Sequence, residues 1–156
     1  MKRYVLIFTA VLIASAGVLQ AQEGLPAYSA DTASGKLVVT PIHHASLMFS
    51  WGGKIVYVDP VTRGTDLTGF PKGDLILVTH EHGDHLDPKA IEMLRKEETL
   101  VFTNEAGMGR VEGAEYLYYD DSVDFEGITV YTVHAYNIVH KRNNGQPYHP
   151  KGRGNG

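Results

Sequence analysis

The sequence predicts an α/β domain, and three observations predict it. Asp74–Thr79 is a short continuous apolar run of the kind buried on both faces of a sheet. A capped helical stretch and another apolar run follow it, so residues 74–103 spell a β-loop-α-β unit with a parallel strand pair. Ahead of this unit, Ser46–Trp51 and Lys54–Val58 flank Gly52-Gly53, a two-residue hairpin signal.

Taken in order, the chain begins with an address. Lys2 and Arg3 precede an apolar run from Val5 to Leu19, and Leu19-Gln20-Ala21 ends it with a small residue at a cleavage position. Residues 1–21 therefore read as a signal peptide. The run is short of the roughly 20 residues that span a bilayer, so no stable membrane anchor is expected after cleavage and a secreted or periplasmic location is. Residues 22–35 are rich in Ala, Ser, Gly and Pro without apolar period, and read as a linker. The domain proper is residues 36–156. Lys36–Ile42 is a β-type run, the Gly-Gly hairpin follows, Asp59-Pro60 ends it, and Val61–Gly73 is a loop. After the buried run, Asp87 is an N-cap with Pro88 at the first helical position, and the pattern carries a helix to about Glu98. Thr99–Thr103 is the next strand. Glu115–Tyr119, Val123–Phe125 and the longer Ile128–Ala135 follow as strands, with Tyr116, Tyr118 and Tyr119 assigned to strand packing. Beyond Tyr136 the chain is polar and without period.

Composition narrows the chemistry. A formal charge of −4 gives no general attraction to nucleic acid, and loss of Lys2 and Arg3 with the signal takes it to −6. The absence of cysteine excludes disulfides, thiolate zinc sites and thiol catalysis. Against that stand eight histidines, three of them within His80-Glu81-His82-Gly83-Asp84-His85. This cluster directly follows the buried strand, where ligands gather in α/β folds. In extended backbone residues i and i+2 face the same way, so His80 and His82 can serve one metal while Glu81 points away. Gly83 allows a turn, after which Asp84 and His85 can face a second metal. Imidazole and carboxylate without thiolate suit Zn²⁺ and also admit Mn²⁺ or Fe.

Thr79-His-Glu-His-Gly-Asp-His-Leu86 resembles the H-x-H-x-D-H signature of the metallo-β-lactamase superfamily. The strand, Gly-Gly turn and Val-Tyr-Val-Asp-Pro of residues 46–60 are similar to the N-terminal strands of that fold. Ile42-His43-His44-Ala45-Ser46 before the hairpin is similar to the ascorbate-6-phosphate lactonase-like branch. The resemblance implies an αβ/βα sandwich, two mixed sheets face to face with helices outside. It also implies two metals. The first takes His80, His82 and a later His; the second takes Asp84, His85, a later bridging Asp and a final His. By the same resemblance a metal-bound hydroxide is expected to attack an ester, lactone or phosphoester bond of a small-molecule substrate, with Asp84 orienting the water. Asp59 is expected to brace the metal loop from behind, and His43 or His44 to line the pocket. The later His of the first metal is His149, in Tyr148-His-Pro-Lys-Gly152, with His134 and His140 as alternatives, since Asn137 stands where the family strand delivers its ligand.

Two functions follow. One is an exported metal-dependent hydrolase. The other is a non-catalytic metal-binding module, because residues 138–156 contain no Asp or Glu to supply a bridging carboxylate. Removing the signal leaves 135 residues, against about 200–250 for a complete sandwich of this kind, so the chain is expected to hold the N-terminal half of the domain.

Overall fold

The computed structural model describes residues 25–156, and the expected signal peptide lies outside them. Four antiparallel strands come first: β1 (Tyr28–Thr32), β2 (Gly35–His43), β3 (Ser46–Trp51) and β4 (Lys54–Val58). Three parallel strands extend the same sheet: β5 (Leu75–Leu77), β6 (Leu100–Thr103) and β7 (Glu115–Tyr116). The result is a seven-stranded mixed sheet in sequence order, with helix α1 (Pro88–Leu94) crossing between β5 and β6.

The β3–β4 turn shows the local logic. Gly52 and Gly53 both have positive φ, 56° and 79°, the twist that two-residue hairpins need. That turn fixes the register, which pairs Met48 with Tyr57, Tyr57 with Ile76, and Ile76 with Val101. These four side chains form one row across the sheet. With Leu86, Ala90, Ile91 and Leu94 from the α1 side they make the main core. Helix α1 starts where Asp87 accepts from Lys89 N and Ala90 N. It stops four residues before the expected end, because Thr99 Oγ1 accepts from Lys96 N and donates to Gly73 O, closing a turn in place of another helical repeat.

The opposite face carries a smaller core of Val56, Leu75, Phe102, Leu117 and Phe125. A hairpin of β8 (Ser122–Phe125) and β9 (Ile128–Tyr131) covers part of it. Beside it runs an apolar groove lined by Leu37, Phe49, Trp51, Val56, Leu77 and Ile128. Among the described residues the second layer of the expected sandwich consists of this hairpin and one short pair, β10 (His134–Ala135) with β11 (Gly154–Asn155).

Other expectations need correction as well, among them the strand expected over 115–119, which is only Glu115–Tyr116. The linker 22–35 includes strand β1, which pairs residue for residue with β2 from Tyr28 to Thr32. Its side chains are all exposed, so backbone hydrogen bonding holds it and no apolar period marks it. The single strand 128–135 is broken at Thr132-Val133. There the chain changes partner: Thr132 N donates to Asp121 O on one side, and Val133 N donates to Gly156 O on the other.

Candidate metal centre

The loop after β5 is built on Asp59, at the end of β4. This residue has φ 45° and is buried, with 1% of its surface exposed. Oδ1 accepts from Thr79 N, and Oδ2 accepts from both Thr79 Oγ1 and His85 Nδ1, each at 2.7 Å. Ser46 Oγ donates to the Asp59 carbonyl at 2.6 Å, pinning the end of β4. The loop then closes on itself, with His85 N and Leu86 N both donating to His82 O. Buried Leu86 anchors its far end in the main core. Gly83 takes no part in this through special dihedrals: its φ is not positive, and a Cβ there would meet nothing within 4 Å. The reverse turn from His82 to Leu86 suffices.

Two groups of donors result. His80, His82 and His149 form the first; His44, Asp84 and His85 form the second. In each, the ligand atoms lie within 4.8 Å of one another. In the first, His80 Nε2 and His149 Nε2 each stand 3.2 Å from His82 Nδ1. Ligands about 2.0–2.1 Å from a tetrahedral zinc lie about 3.3–3.4 Å from each other, so these spacings fit one ion. The protonation pattern fits as well. Asn137 Oδ1 accepts from His149 N at 2.7 Å, so it is an acceptor, and His149 Nδ1 at 3.0 Å must donate to it. That leaves the His149 Nε2 lone pair facing inward. The Thr79 hydroxyl spends its proton on Asp59 and accepts from His80 Nδ1 at 3.0 Å, which leaves His80 Nε2 bare in the same way. Burial, reinforced by His85, His82 and His149, lowers the His80 pKa to about 4, so this imidazole is neutral and ready to ligate at pH 7. His149 is lowered too, first by burial and then by His82 and His85.

The remaining expected residues fall as follows. His134 stacks on Tyr119 at 3.9 Å with Nε2 3.7 Å from Asp120, away from the first group, and exposed His140 joins neither group. His43 turns toward Gly64 and lines a recess with Val61 and Arg63, whereas His44 joins Asp84 and His85. Glu81 joins neither group, its Oε1 lying 4.0 Å from His82 Nε2, the ring nitrogen on the far side from His80 and His149. Burial opposes its ionisation. Hydrogen bonds from its own backbone N–H, the Arg153 guanidinium and Asn104 outweigh that and hold its pKa at about 2. Arg153 donates to Glu81 Oε1 through Nε at 2.6 Å, and Asn104 Nδ2 donates to the Arg153 carbonyl at 2.6 Å. The metal loop is thereby strapped to the segment carrying β11. Sequence reasoning missed this strap, as it missed Asn137 in its role behind His149. A cleft of about 600 Å³ opens over the site, lined by His44, His82, Asp84, Arg142, Tyr148 and His149 among others. Arg142 sits over the Tyr148 ring, 4.9 Å from its centroid.

A mixed sheet delivering two donor clusters at the carboxyl end of its buried strand defines a metal-site domain of the α/β class. Residues 38–154 match the beta-lactamase superfamily domain, and the chain belongs to that superfamily. A crystal structure of a protein assigned as a metal-dependent hydrolase, from Parabacteroides distasonis ATCC 8503, is similar at 39% identity with a TM-score of 0.76. The similarity covers 84% of this chain and 59% of that one, so this chain spans well under two thirds of its relative's length.

Proposed function

We propose that this chain carries the metal-binding part of a metal-dependent hydrolase, with His80, His82 and His149 holding one zinc ion. The observation that carries this is the convergence of three imidazole nitrogens, two of their separations being 3.2 Å, with the outer nitrogens of His80 and His149 committed to other partners. A bound divalent ion supplies a Lewis acid and water that ionises near neutral pH. The chain's own residues would do the rest. Asp84, at the cleft, would accept a hydrogen bond from the attacking water and receive its proton at the carboxylate. His44, from the turn between β2 and β3, is the hydrogen-bond partner of Asp84 at 3.1 Å and holds its carboxylate in place. Arg142 on the cleft wall would orient an electronegative group of the substrate. Ester, lactone and phosphoester bonds all suit this chemistry. The His43-His44 segment before the hairpin supports the ascorbate-6-phosphate lactonase-like branch. Export, proposed from the basic and apolar start of the chain, would place this activity outside the cytoplasm.

A second reading is a metal-binding module without turnover, favoured by the lack of any carboxylate in residues 138–156. One experiment separates them. The metal content of the purified chain is measured, followed by turnover of a generic phosphodiester and a lactone, with His82→Ala alongside. Metal together with turnover that H82A abolishes supports the hydrolase. Metal without turnover supports the module. No metal at all defeats both.

A further inference from the structure

We infer that the recess walled by His43 and Arg63 beside Asp84 is a subsite for an oxyanion group, a carboxylate or a phosphate, that the substrate carries away from the bond to be cleaved. This rests on the reading above, in which Asp84 serves the attacking water. The recess has a volume of about 300 Å³ and is lined by His43, His44, Val61, Arg63 and Asp84. It shares His44 and Asp84 with the larger cleft that holds His82, His149 and Arg142. The hydrogen-bonded His44–Asp84 pair thus stands between two chambers. A substrate with its reacting bond at Asp84 has room on both sides of that pair.

Arg63 is presented there by a fixed turn. Thr65 N donates to Thr62 O at 3.4 Å across Arg63-Gly64, and Gly64 has φ 75°, the positive φ that glycine supplies at the third position of a type II turn. The base of the turn is tied down, since Thr62 N and Thr62 Oγ1 both donate to Asp87 Oδ2 at the start of α1. On its other side the turn meets His43. A Cβ on Gly64 would stand 2.9 to 3.3 Å from three atoms of the His43 ring. Glycine is therefore needed twice at this position, for the turn and for the imidazole seated against it. The two features set a ring with N–H capacity next to the residue that bears a guanidinium.

The recess offers these donors no acceptor of their own. Arg95 donates to Glu112 O, Arg110 to Glu81 O and Arg153 to Glu81 Oε1, whereas the Arg63 side chain has no hydrogen-bond or ion-pair partner among the described residues. Asp84 is the one acidic side chain on the lining, and its Oδ2 faces His44 on the opposite wall. A guanidinium stays charged at any physiological pH and presents five N–H donors in a fork that fits carboxylate and phosphate oxygens in pairs. An oxyanion seated against Arg63 and His43 satisfies both.

The test uses the full chain, stripped of metal with a chelator and dialysed free of it, so that no ion can take the anion. It is titrated with inorganic phosphate and separately with acetate, and backbone and guanidinium NMR signals report the position. Either anion is expected to move the Arg63 Nε–H and Gly64 N–H signals to saturation, and the tighter of the two identifies the group the substrate carries. Arg63→Ala is expected to weaken that binding at least about 10-fold, the worth of one hydrogen bond to a charged group. Lys36→Ala removes a like charge at the far end of β2 and is expected to change nothing. Undiminished affinity in R63A, shifts centred on Arg142 instead, or no saturable response to either anion overturns the subsite. A chain that binds the anion at Arg63 but takes up no zinc keeps the subsite and defeats the proposed hydrolase; one that binds zinc but no anion does the reverse.

Discussion

Asp59→Asn changes one oxygen to an amide nitrogen in a buried position and should be felt at both donor groups. The native carboxylate accepts three hydrogen bonds at 2.7 Å. Asparagine offers one acceptor oxygen and an amide nitrogen that only donates. The Thr79 N–H can only donate, so the oxygen stays with it, and the amide N–H₂ then faces Thr79 Oγ1 and His85 Nδ1. His85 must accept there and carry its proton on Nε2, which removes the lone pair it would otherwise offer beside Asp84 in the second donor group. The Thr79 hydroxyl, no longer donating to Asp59, is free to turn its proton toward His80 Nδ1 and reverse that imidazole too. Loss of such supporting bonds typically weakens metal binding about 10–100-fold, which is about 1.4–2.7 kcal/mol. The free protein should also lose about 1–3 kcal/mol through the mismatched buried polar groups. Zinc competition against a chromophoric chelator measures the first quantity and urea denaturation of the metal-free chain the second. Thr79→Val is the control: it cuts the line from Asp59 to His80 and spares the direct bond to His85, so only the first donor group should weaken. Wild-type zinc affinity in D59N, with the fold intact, would refute this account of the site.

Three further outcomes are expected. Ile91→Ala removes a fully buried side chain of α1 from the main core and should cost about 2–5 kcal/mol in urea denaturation. Gly83→Ala should leave stability unchanged or raise it by up to about 1 kcal/mol, because the position has ordinary φ and open space; a destabilised G83A would show that the glycine has a role the loop geometry hides. The third concerns pH. Glu81 titrates at about 2 in the folded chain against an ordinary 4.5. The folded state therefore binds fewer protons than the unfolded state between those values, and the benefit is complete above pH 4.5 and lost as pH falls toward 2. Glu81→Gln should accordingly be less stable than wild type at pH 7, with the gap narrowing below pH 4.5; a gap independent of pH would mean the Arg153 strap is not electrostatic.

Local signals in the sequence proved legible where the structure is itself local. Asp87 and Pro88 mark the start of α1, and Gly52-Gly53 turns the hairpin, because caps and tight turns depend on the residues that form them. Strand β1 was hidden since Tyr-Ser-Ala-Asp-Thr buries nothing and takes its order from β2. The break at Thr132-Val133 was hidden because it comes from an exchange of partners, which no periodicity reports. The site divides the same way. His80, His82, Asp84 and His85 are spaced by the backbone of one loop and stand out in the sequence. His149 and His44 arrive from 67 and 40 residues away. Spacing says nothing about them, and Asn137 could be understood only once His149 was seen against it.

The distance from His82 to His149 has a consequence for how the chain holds together. A single ion shared by these two residues ties a loop of 67 residues into a ring. No disulfide can do so in a chain without cysteine. By the chain-entropy estimate for a covalent cross-link, closing a ring of that length is worth about 4 kcal/mol, a large share of the margin by which a small domain stays folded. The polar segment after Tyr136 has little apolar packing of its own to hold it against the sheet. An ion between His82 and His149 would act there as a removable staple, making the order of the segment that closes the cleft depend on the metal supply.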